Sequence, residues 1–380
     1  MSDKLKLNYD DISVIPSPVT TISHRSECNP YDEDGFLPIF AAPMSSVVSW
    51  DNFGKFINNH IRPVLPRTYG LNKRVQVLGH PDGFVAFALD EIENIFNGHN
   101  LYKYSMEVAI GNDIPINICI DIANGHMKRL LDVVSNIKKE YGDKIRIMTG
   151  NVANPKTYTE YESAGVDYMR AGIGGGSACL TSSNVSVHYP YFSLLEGLRE
   201  EKERISGNCK IIADGNIRGY RDIQKALIYA DYVMIGGLFN KAIESGGKTI
   251  YGNSYWNIRN KKIINPFKTL LMSGREVPVE KYDDVLKSVK SGKLKVYKEF
   301  YGMSTKRAQQ QINSADTKAI NKTKTSEGLV KLQEVEYDIK GWAENETDYL
   351  RSAMSYTDSR TLDDYKKSNW VRLTQIRYNY

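Results

Sequence analysis

Short apolar runs alternate with amphipathic segments along the first two thirds of the chain. Each run is apolar throughout rather than alternately apolar and polar, which is typical of strands buried on both faces of a parallel sheet. The runs lie at residues 37–43, 61–66, 83–89, 116–123, 144–150, 166–173, 210–215 and 231–237. The intervening segments, such as 127–142 and 221–230, have the apolar spacing of helices. This α/β pattern predicts a single closed (β/α)8 TIM barrel, with a doubly wound open sheet as the structural alternative.

Most of the predicted strands end in glycine, aspartate or small polar residues. Examples are the stretches DIANGH at 121–126, AGIGGGS at 171–177 and ADGN at 213–216. In a barrel these ends gather on one face, where the active sites of such folds lie. A single ending of this kind is explained as well by a tight turn, but several with compatible chemistry favour a functional site.

The strand–helix pattern breaks down after the eighth run. Residues 246–300 are polar and rich in lysine, and about 248–297 are interpreted as an inserted segment. Residues 304–328 contain few apolar positions, which predicts a mobile active-site flap. The segment 347–370 recovers helical spacing and is interpreted as the last barrel helix. Residues 1–380 are therefore expected to form one barrel domain.

Composition narrows the possible partners and the compartment. The 380 residues carry 50 basic and 45 acidic side chains, and a net charge of +5 is weak evidence for a nucleic-acid partner. The four cysteines, at 28, 119, 179 and 209, form no CxxC pair, which disfavours a zinc site or a disulfide framework. No secretory signal and no run of 18 apolar residues is present, so we expect a cytoplasmic protein without a membrane partner.

The glycine-rich stretch at 171–184 carries the most specific chemistry. Gly172, Gly174, Gly175 and Gly176 would let backbone N–H groups approach a phosphate, or let carbonyls coordinate a monovalent cation. Cys179 follows on the same loop, where a thiol can be exposed and activated. Taken alone, the stretch is better explained as a flexible loop that carries a cysteine by chance, because glycine-rich loops are common.

This loop resembles the G-I-G-P-G-S-x-C-T-T-R signature of the IMP dehydrogenase/GMP reductase family. Further similar stretches follow in the family's order along the chain. They lie at 7–27, 41–47, 121–126, 211–217, 233–239, 300–304, 325–328 and 350–357. The resemblance implies a (β/α)8 barrel that binds a purine nucleotide, GMP or IMP, and assembles as a homotetramer.

Four features are closer to GMP reductase than to IMP dehydrogenase. The turn after the eighth run reads ESGG at 244–247, and GMS at 302–304 resembles the reductase purine loop. No arginine lies between Arg307 and Glu327, where dehydrogenases carry the arginine that activates water. No pair of CBS regulatory domains interrupts the barrel, which is therefore expected to be a single catalytic domain. The resemblance thus implies NADPH-dependent reductive deamination of GMP to IMP and ammonia, with Cys179 as nucleophile at purine C2.

The family pattern carries over to individual residues of this chain. Catalytic roles are implied for Cys179, Thr181 and Glu327. Substrate contacts are implied for Ser177, Asp214, Gly215, Asn216, Gly236, Gly237, Gly302, Met303, Ser304, Lys324, Ser326 and Gly328. Contacts to NADPH are implied for Ser23, Arg25, Arg67, Asp121, Ile122, Ala123, Ile173, Gly174 and Tyr356. The backbone of Gly174, Gly176 and Cys179 is the implied site of a potassium ion.

Departures from the pattern leave other functions open. Gly175 stands where the family has proline, Ser182 replaces an arginine, and Asn216 replaces the second glycine of a turn. The alternatives are an NAD-dependent IMP dehydrogenase that forms XMP, a reductase of a variant purine nucleotide, and a non-catalytic nucleotide-binding barrel. Asp214 as a simple helix cap and Glu327 as a solvated loop acid are the structural alternatives for those two side chains.

Overall fold

The computed structural model describes residues 5–98, 100–176, 184–251, 275–315 and 328–373. The strands in this part of the chain are β1 (Ile12–Val14), β2 (Ile39–Ala41), β3 (Arg62–Leu65), β4 (Phe84–Phe87), β5 (Ile116–Asp121), β6 (Ile145–Val152), β7 (Tyr168–Ala171), β8 (Lys210–Asp214), β9 (Tyr232–Ile235), β10 (Thr249–Tyr251), β11 (Arg275–Glu276), β12 (Val296–Tyr301), β13 (Val330–Glu334) and β14 (Trp370–Arg372).

The α-helices in the same part of the chain connect and cover these strands. They are α1 (Phe53–Ile57), α2 (Leu71–Gln76), α3 (Leu89–Asn97), α4 (Leu101–Gly111), α5 (Lys128–Tyr141), α6 (Thr157–Ala164), α7 (Tyr191–Ile205), α8 (Tyr220–Ala226), α9 (Gly237–Asn240), α10 (Tyr282–Lys290), α11 (Lys306–Ala315), α12 (Ile339–Tyr356) and α13 (Leu362–Tyr365). None of the described helices is both long enough and apolar enough to cross a membrane.

Strands β2 to β9 form a closed parallel barrel in sequence order. The sheet closes because β2 pairs with β9, with Ile39 opposite Val233. Each of the eight strands falls within or largely overlaps one of the eight apolar runs. The prediction of a (β/α)8 barrel is therefore confirmed. The open-sheet alternative is wrong, because an open sheet would leave β2 and β9 unpaired with each other at its edges.

Successive residues of the barrel strands are buried on opposite faces. Phe40, Val64 and Cys119 belong to a cluster inside the barrel, whereas Leu65 and Ile118 belong to the larger core that includes the covering helices. All five side chains are completely buried. Burial on both faces explains why the sequence shows continuous apolar runs instead of a period of two.

Aromatic side chains fill the barrel near the N-terminal ends of its strands. Phe40 makes edge-to-face contacts with Phe84 and Tyr232, at ring centroid distances of 5.5 and 5.3 Å. The buried Arg62 forms an ion pair with Asp32, with 2.5 Å between Nη1 and Oδ2. Since this end is filled, a ligand cavity forms at the C-terminal ends of the strands.

A four-stranded antiparallel sheet lies outside the barrel, in the order β11-β10-β12-β13. No clear strand–helix unit was predicted at 246–300, yet this region supplies three of the four strands and helix α10. An apolar cluster of Ile243, Leu286, Val296 and Val335 joins α10 to the sheet. These elements are short and are stabilised by mutual packing, which a local sequence pattern does not reveal.

Part of the expected flap is helical. The sequence predicted a loop for 304–328, but Lys306–Ala315 form α11, and residues 316–327 lie outside the described part of the chain. Thr305 caps the N-terminus of this helix, since its Oγ1 accepts a hydrogen bond from Ala308 N at 3.3 Å. Good helix formers such as lysine, arginine, alanine and glutamine follow it, so capping and propensity outweigh the low apolar content.

A completely buried lysine holds the sheet against the barrel. The Nζ of Lys298 on β12 donates hydrogen bonds to the backbone oxygens of Ser245 and Gly247, at 2.8 and 3.1 Å, and to the Tyr282 hydroxyl at 3.2 Å. Tyr282 belongs to α10, so one ammonium group connects the inserted helix, the loop before β10 and the strand β12.

The stability of the protein is expected to depend on pH through Lys298. Burial lowers the pKa of this lysine to about 7, although Glu244 and Glu276 oppose the shift. Between pH about 7 and about 10 the unfolded chain then binds more protons than the folded chain, so stability rises with pH by at most about 1.4 kcal/mol per unit. Denaturant unfolding at several pH values should show this slope in the wild type but not in Lys298→Met. Parallel pH profiles for the two proteins would contradict the assignment.

Candidate active site

A cavity of about 390 Å³ opens at the C-terminal ends of the barrel strands. It is lined by residues at the C-terminal ends of β5 to β9 and in the segments that follow β2, β3, β5, β7, β8 and β9. Tyr191 of α7, Phe300 of β12, the loop 302–304 and Gln309 of α11 complete the lining. Residues of the four-stranded sheet region therefore form one wall, and strand ends of the barrel form the others. This is the position of active sites in (β/α)8 barrels.

Two acidic side chains on one wall of the cavity share a buried arginine. Arg170 Nη1 lies 2.8 Å from Asp121 Oδ1, and Arg170 Nη2 lies 2.9 Å from Asp214 Oδ2. The arginine side chain is 7% exposed. Burial by itself lowers the pKa of the Arg170 guanidinium, but Asp214 and Asp121 outweigh it and hold the pKa well above its ordinary value. The arginine thus stays charged and fixes the two carboxylates.

Asn151 restricts Asp214 further. Its Nδ2 donates to Asp214 Oδ2 at 2.7 Å, and Arg170 Nε donates to the same oxygen at 3.0 Å. Among the described residues none donates a hydrogen bond to the other oxygen, Oδ1 of Asp214. That oxygen is consequently the acceptor that Asp214 can offer to a ligand in the cavity, which favours a binding role over a simple helix cap.

Three glycines of the cavity wall pack against the ring of Tyr191. A Cβ added at Gly172 or Gly175 would overlap this ring, and one added at Gly215 would lie 2.9 Å from its hydroxyl oxygen. Asn216 adopts a positive φ of 57° and donates its backbone N–H to the Gly175 oxygen at 2.9 Å. The Tyr191 ring thus leaves no room for a side chain at position 175.

The loop after β12 faces the barrel across the cavity. Gly302, Met303 and Ser304 line it. The loop is anchored on the segment that follows β2, since Ser46 Oγ donates to the Tyr301 backbone oxygen at 2.8 Å. Gln309 of α11 also lines the cavity, and its Nε2 donates to the Met303 oxygen at 2.8 Å.

Most of the described residues with a predicted role line this one cavity. The substrate candidates among them are Asp214, Gly215, Asn216, Gly236, Gly237, Gly302, Met303 and Ser304. The cofactor and cation candidates among them are Arg67, Asp121, Ile122, Ala123, Ile173, Gly174 and Gly176. Arg67 Nε lies 3.5 Å from Asp121 Oδ2, so the acid is flanked by two arginines.

Other predicted residues do not line the cavity. Gly328 lies just before β13, and Ser23, Arg25 and Tyr356 are exposed on the outside of the barrel. Arg25 pairs there with Asp348 of α12, at 3.0 Å. Further predicted residues lie outside the described part of the chain, namely Ser177, Cys179, Thr181, Lys324, Ser326 and Glu327.

The sequence reasoning missed several cavity residues, among them Asn151, Arg170, Tyr191 and Gln309. For Arg170 a signal was present, because an arginine inside an apolar strand must be buried and therefore paired. Tyr191 and Gln309 reach the cavity from helices, and nothing in their local sequence indicates this position.

No group of three His, Cys, Asp or Glu side chains that could hold a metal ion occurs in the described segments. The three described cysteines, Cys28, Cys119 and Cys209, are buried and unpaired. Burial raises the pKa of the Cys119 thiol to about 12, although Arg170 opposes the shift. These thiols are thus poor nucleophiles near neutral pH.

Comparisons with known proteins agree with this architecture. A family model for the IMP dehydrogenase/GMP reductase domain matches residues 98–262. A protein named GMP reductase from Streptococcus suis (strain 98HAH33) is 30% identical over 306 residues, which cover 74% of this chain and 89% of the relative. GMP reductases of Streptococcus suis (strain 05ZYH33) and Streptococcus pneumoniae (strain Hungary19A-6) are 31% and 30% identical over 69% of this chain and 83% of each relative. The chain therefore belongs to the IMP dehydrogenase/GMP reductase family.

Proposed function

We propose that this protein is a GMP reductase, which converts GMP to IMP and ammonia with NADPH as reductant. One observation carries the proposal: Asp214, the turns at 215–216 and 236–237, and the loop 302–304 converge on a single cavity. Asp214 keeps one oxygen to which none of the described residues donates. The similarity to proteins named GMP reductase supports the same substrate.

The nucleotide would extend across this cavity. Asp214 Oδ1 would accept hydrogen bonds from the ribose hydroxyls, because Oδ2 is occupied by Arg170 and Asn151. Backbone N–H groups at the turns would surround the phosphate, together with Ser177. These turn residues are Gly215, Asn216, Gly236 and Gly237. The purine would lie against Gly302, Met303 and Ser304, with Lys324 and Ser326 completing its site.

The opposite part of the cavity suits a nicotinamide. Ile122 and Ile173 provide an apolar wall, and Asp121 with Arg67 provides polar partners beside it. A flat ring with one amide substituent needs this combination of apolar surface and a few directed polar groups. Ala123 and Gly174 line the same region. NADPH supplies the hydride that replaces the departing amino group at C2.

The chain's own groups would carry the remaining chemistry. The Cys179 thiolate adds to C2 of the purine, and Thr181 and Glu327 deliver the proton with which the 2-amino group leaves as ammonia. After C2 is reduced, the thiolate departs and IMP remains. These three roles rest on the resemblance of the loop and flap sequences. Backbone oxygens of Gly174, Gly176 and Cys179 would hold a potassium ion that orders the loop.

The exposed cofactor candidates fit an oligomeric enzyme. Ser23, Arg25 and Tyr356 lie outside the barrel and cannot reach the cavity of their own chain without refolding. Their assignment to NADPH thus requires that they meet a cofactor held by a neighbouring copy, in keeping with the proposed homotetramer.

The reaction itself is the first test. Purified protein should oxidise NADPH only when GMP is added, with one ammonia formed per cofactor oxidised. Cys179→Ala should lower this rate at least about a thousandfold, because the covalent route is lost. Cys28→Ala is the matched control and should retain activity, since Cys28 is buried away from the cavity. A Cys179→Ala enzyme with normal rates would rule out the proposal.

Replacement of Arg170 should weaken nucleotide binding. Arg170→Met leaves Asp121 and Asp214 close together without their shared cation, so we expect KM for GMP to rise at least about tenfold and the melting temperature to fall. Arg170→Lys keeps the charge but not the forked geometry, so its KM for GMP and its melting temperature should lie between those of the wild type and Arg170→Met. Steady-state kinetics and thermal unfolding check this, and an unchanged KM in Arg170→Met would contradict the role of the arginine.

Restoring the family's proline should damage this enzyme. Gly175→Pro brings ring atoms into the space of Tyr191, and we expect KM for GMP to rise about tenfold or more because the neighbouring phosphate turn is displaced. Gly175→Pro combined with Tyr191→Ala should be less impaired than Gly175→Pro alone. The control is Gly70→Ala, where an added Cβ meets no atom within 4 Å. Equal KM values for Gly175→Pro and the wild type would refute the steric argument.

A further inference from the structure

Gln309 occupies the wall of the cavity that is formed outside the barrel. It lies in the second turn of α11, whose start is tied to the purine loop because Thr305 N donates to the Gly302 oxygen at 3.1 Å. Gln309 N donates in turn to the Thr305 oxygen at 3.0 Å. Its side chain is half-buried and lines the cavity with Met303 and Ser304.

The orientation of the Gln309 amide follows from its one partner. A backbone carbonyl only accepts hydrogen bonds, so the atom that lies 2.8 Å from the Met303 oxygen must be Nε2. The remaining polar atom, Oε1, can only accept. Within the described part of the chain it receives no hydrogen bond. Gln309 therefore offers a fixed, neutral acceptor on the side of the cavity where Met303 lies.

The two carboxylates of the cavity differ from the Gln309 amide in charge and position. Asp121 and Asp214 lie at strand ends of the barrel, and both are paired with Arg170. The surroundings of Gln309 include apolar side chains, such as Phe300 and Met303. Apolar walls with one neutral acceptor suit the N–H edge of an uncharged heterocycle better than they suit a phosphate or a ribose.

We propose that Gln309 is a specificity-determining residue whose Oε1 accepts a hydrogen bond from the N–H edge of guanine, which deepens the proposed function and rests on it. Guanine presents donors at N1 and at the 2-amino group. Adenine presents a lone pair at N1, which would face the lone pairs of Oε1. Gln309 thus favours guanine nucleotides and disfavours adenine nucleotides at the same site.

Nucleotide affinities measured without cofactor test this assignment. Calorimetric Kd values for GMP and AMP would be compared in the wild type, Gln309→Met and Gln310→Met. Methionine has a similar length but no strong acceptor. Gln309→Met should reduce the preference for GMP over AMP by about tenfold, chiefly through weaker binding of GMP. Gln310 is exposed on the same helix and does not line the cavity, so its substitution should leave the preference unchanged.

The result that overturns the inference is an unchanged GMP/AMP preference in a folded Gln309→Met protein. Thermal unfolding establishes folding, and Gln309→Leu serves as a second variant if methionine destabilises α11. The test is separable from the proposed function. Wild-type turnover of GMP with an unchanged Gln309→Met preference refutes only the role of Gln309. Wild-type binding of GMP without oxidation of NADPH refutes only the proposed reaction.

Discussion

The pairing of one buried arginine with two carboxylates is the interaction on which the cavity depends. The ends of β5 and β8 bring Asp121 and Asp214 to the same side of the barrel mouth, and Arg170 on β7 lies between them. Two like charges in a mostly buried site repel each other and lose hydration. The guanidinium offsets both effects and, by its planar fork, also sets the direction in which each carboxylate presents its remaining oxygen.

The wall outside the barrel is positioned by a different set of contacts. Strand β12 leads directly into the loop 302–304, and it is held between β10 and β13. Asn240 of α9 donates from Nδ2 to the backbone oxygens of Ser46 and Glu299, at 2.7 and 2.9 Å, which joins barrel and sheet. Helix α10 packs apolar side chains against the sheet, and its Tyr282 accepts a hydrogen bond from Lys298. The described residues of the inserted segment, 248–251 and 275–297, therefore support the loop 302–304 from behind.

The sequence was sufficient for the barrel but only in part for the site. Continuous apolar runs predicted all eight barrel strands, because a strand that is buried on both faces is apolar at every position. Glycine and aspartate at the strand ends predicted Asp214 and its turn, because the C-terminal strand ends of a barrel meet on the face where active sites lie. The sheet beside the barrel and helix α11 were not predicted, since short elements are stabilised by packing with distant residues. Gln309 was not predicted, because its role depends on where α11 lies relative to the barrel. A polar residue in a helical sequence is by default expected to face solvent.

The packing of Tyr191 against glycine carries a consequence for redesign of the loop. A side chain at 175 and the tyrosine ring at 191 would occupy the same space, so the two exclude each other. A larger residue can enter position 175 only together with a smaller residue at 191. The two positions therefore form a coupled pair, and the effects of substitutions at them should not be additive.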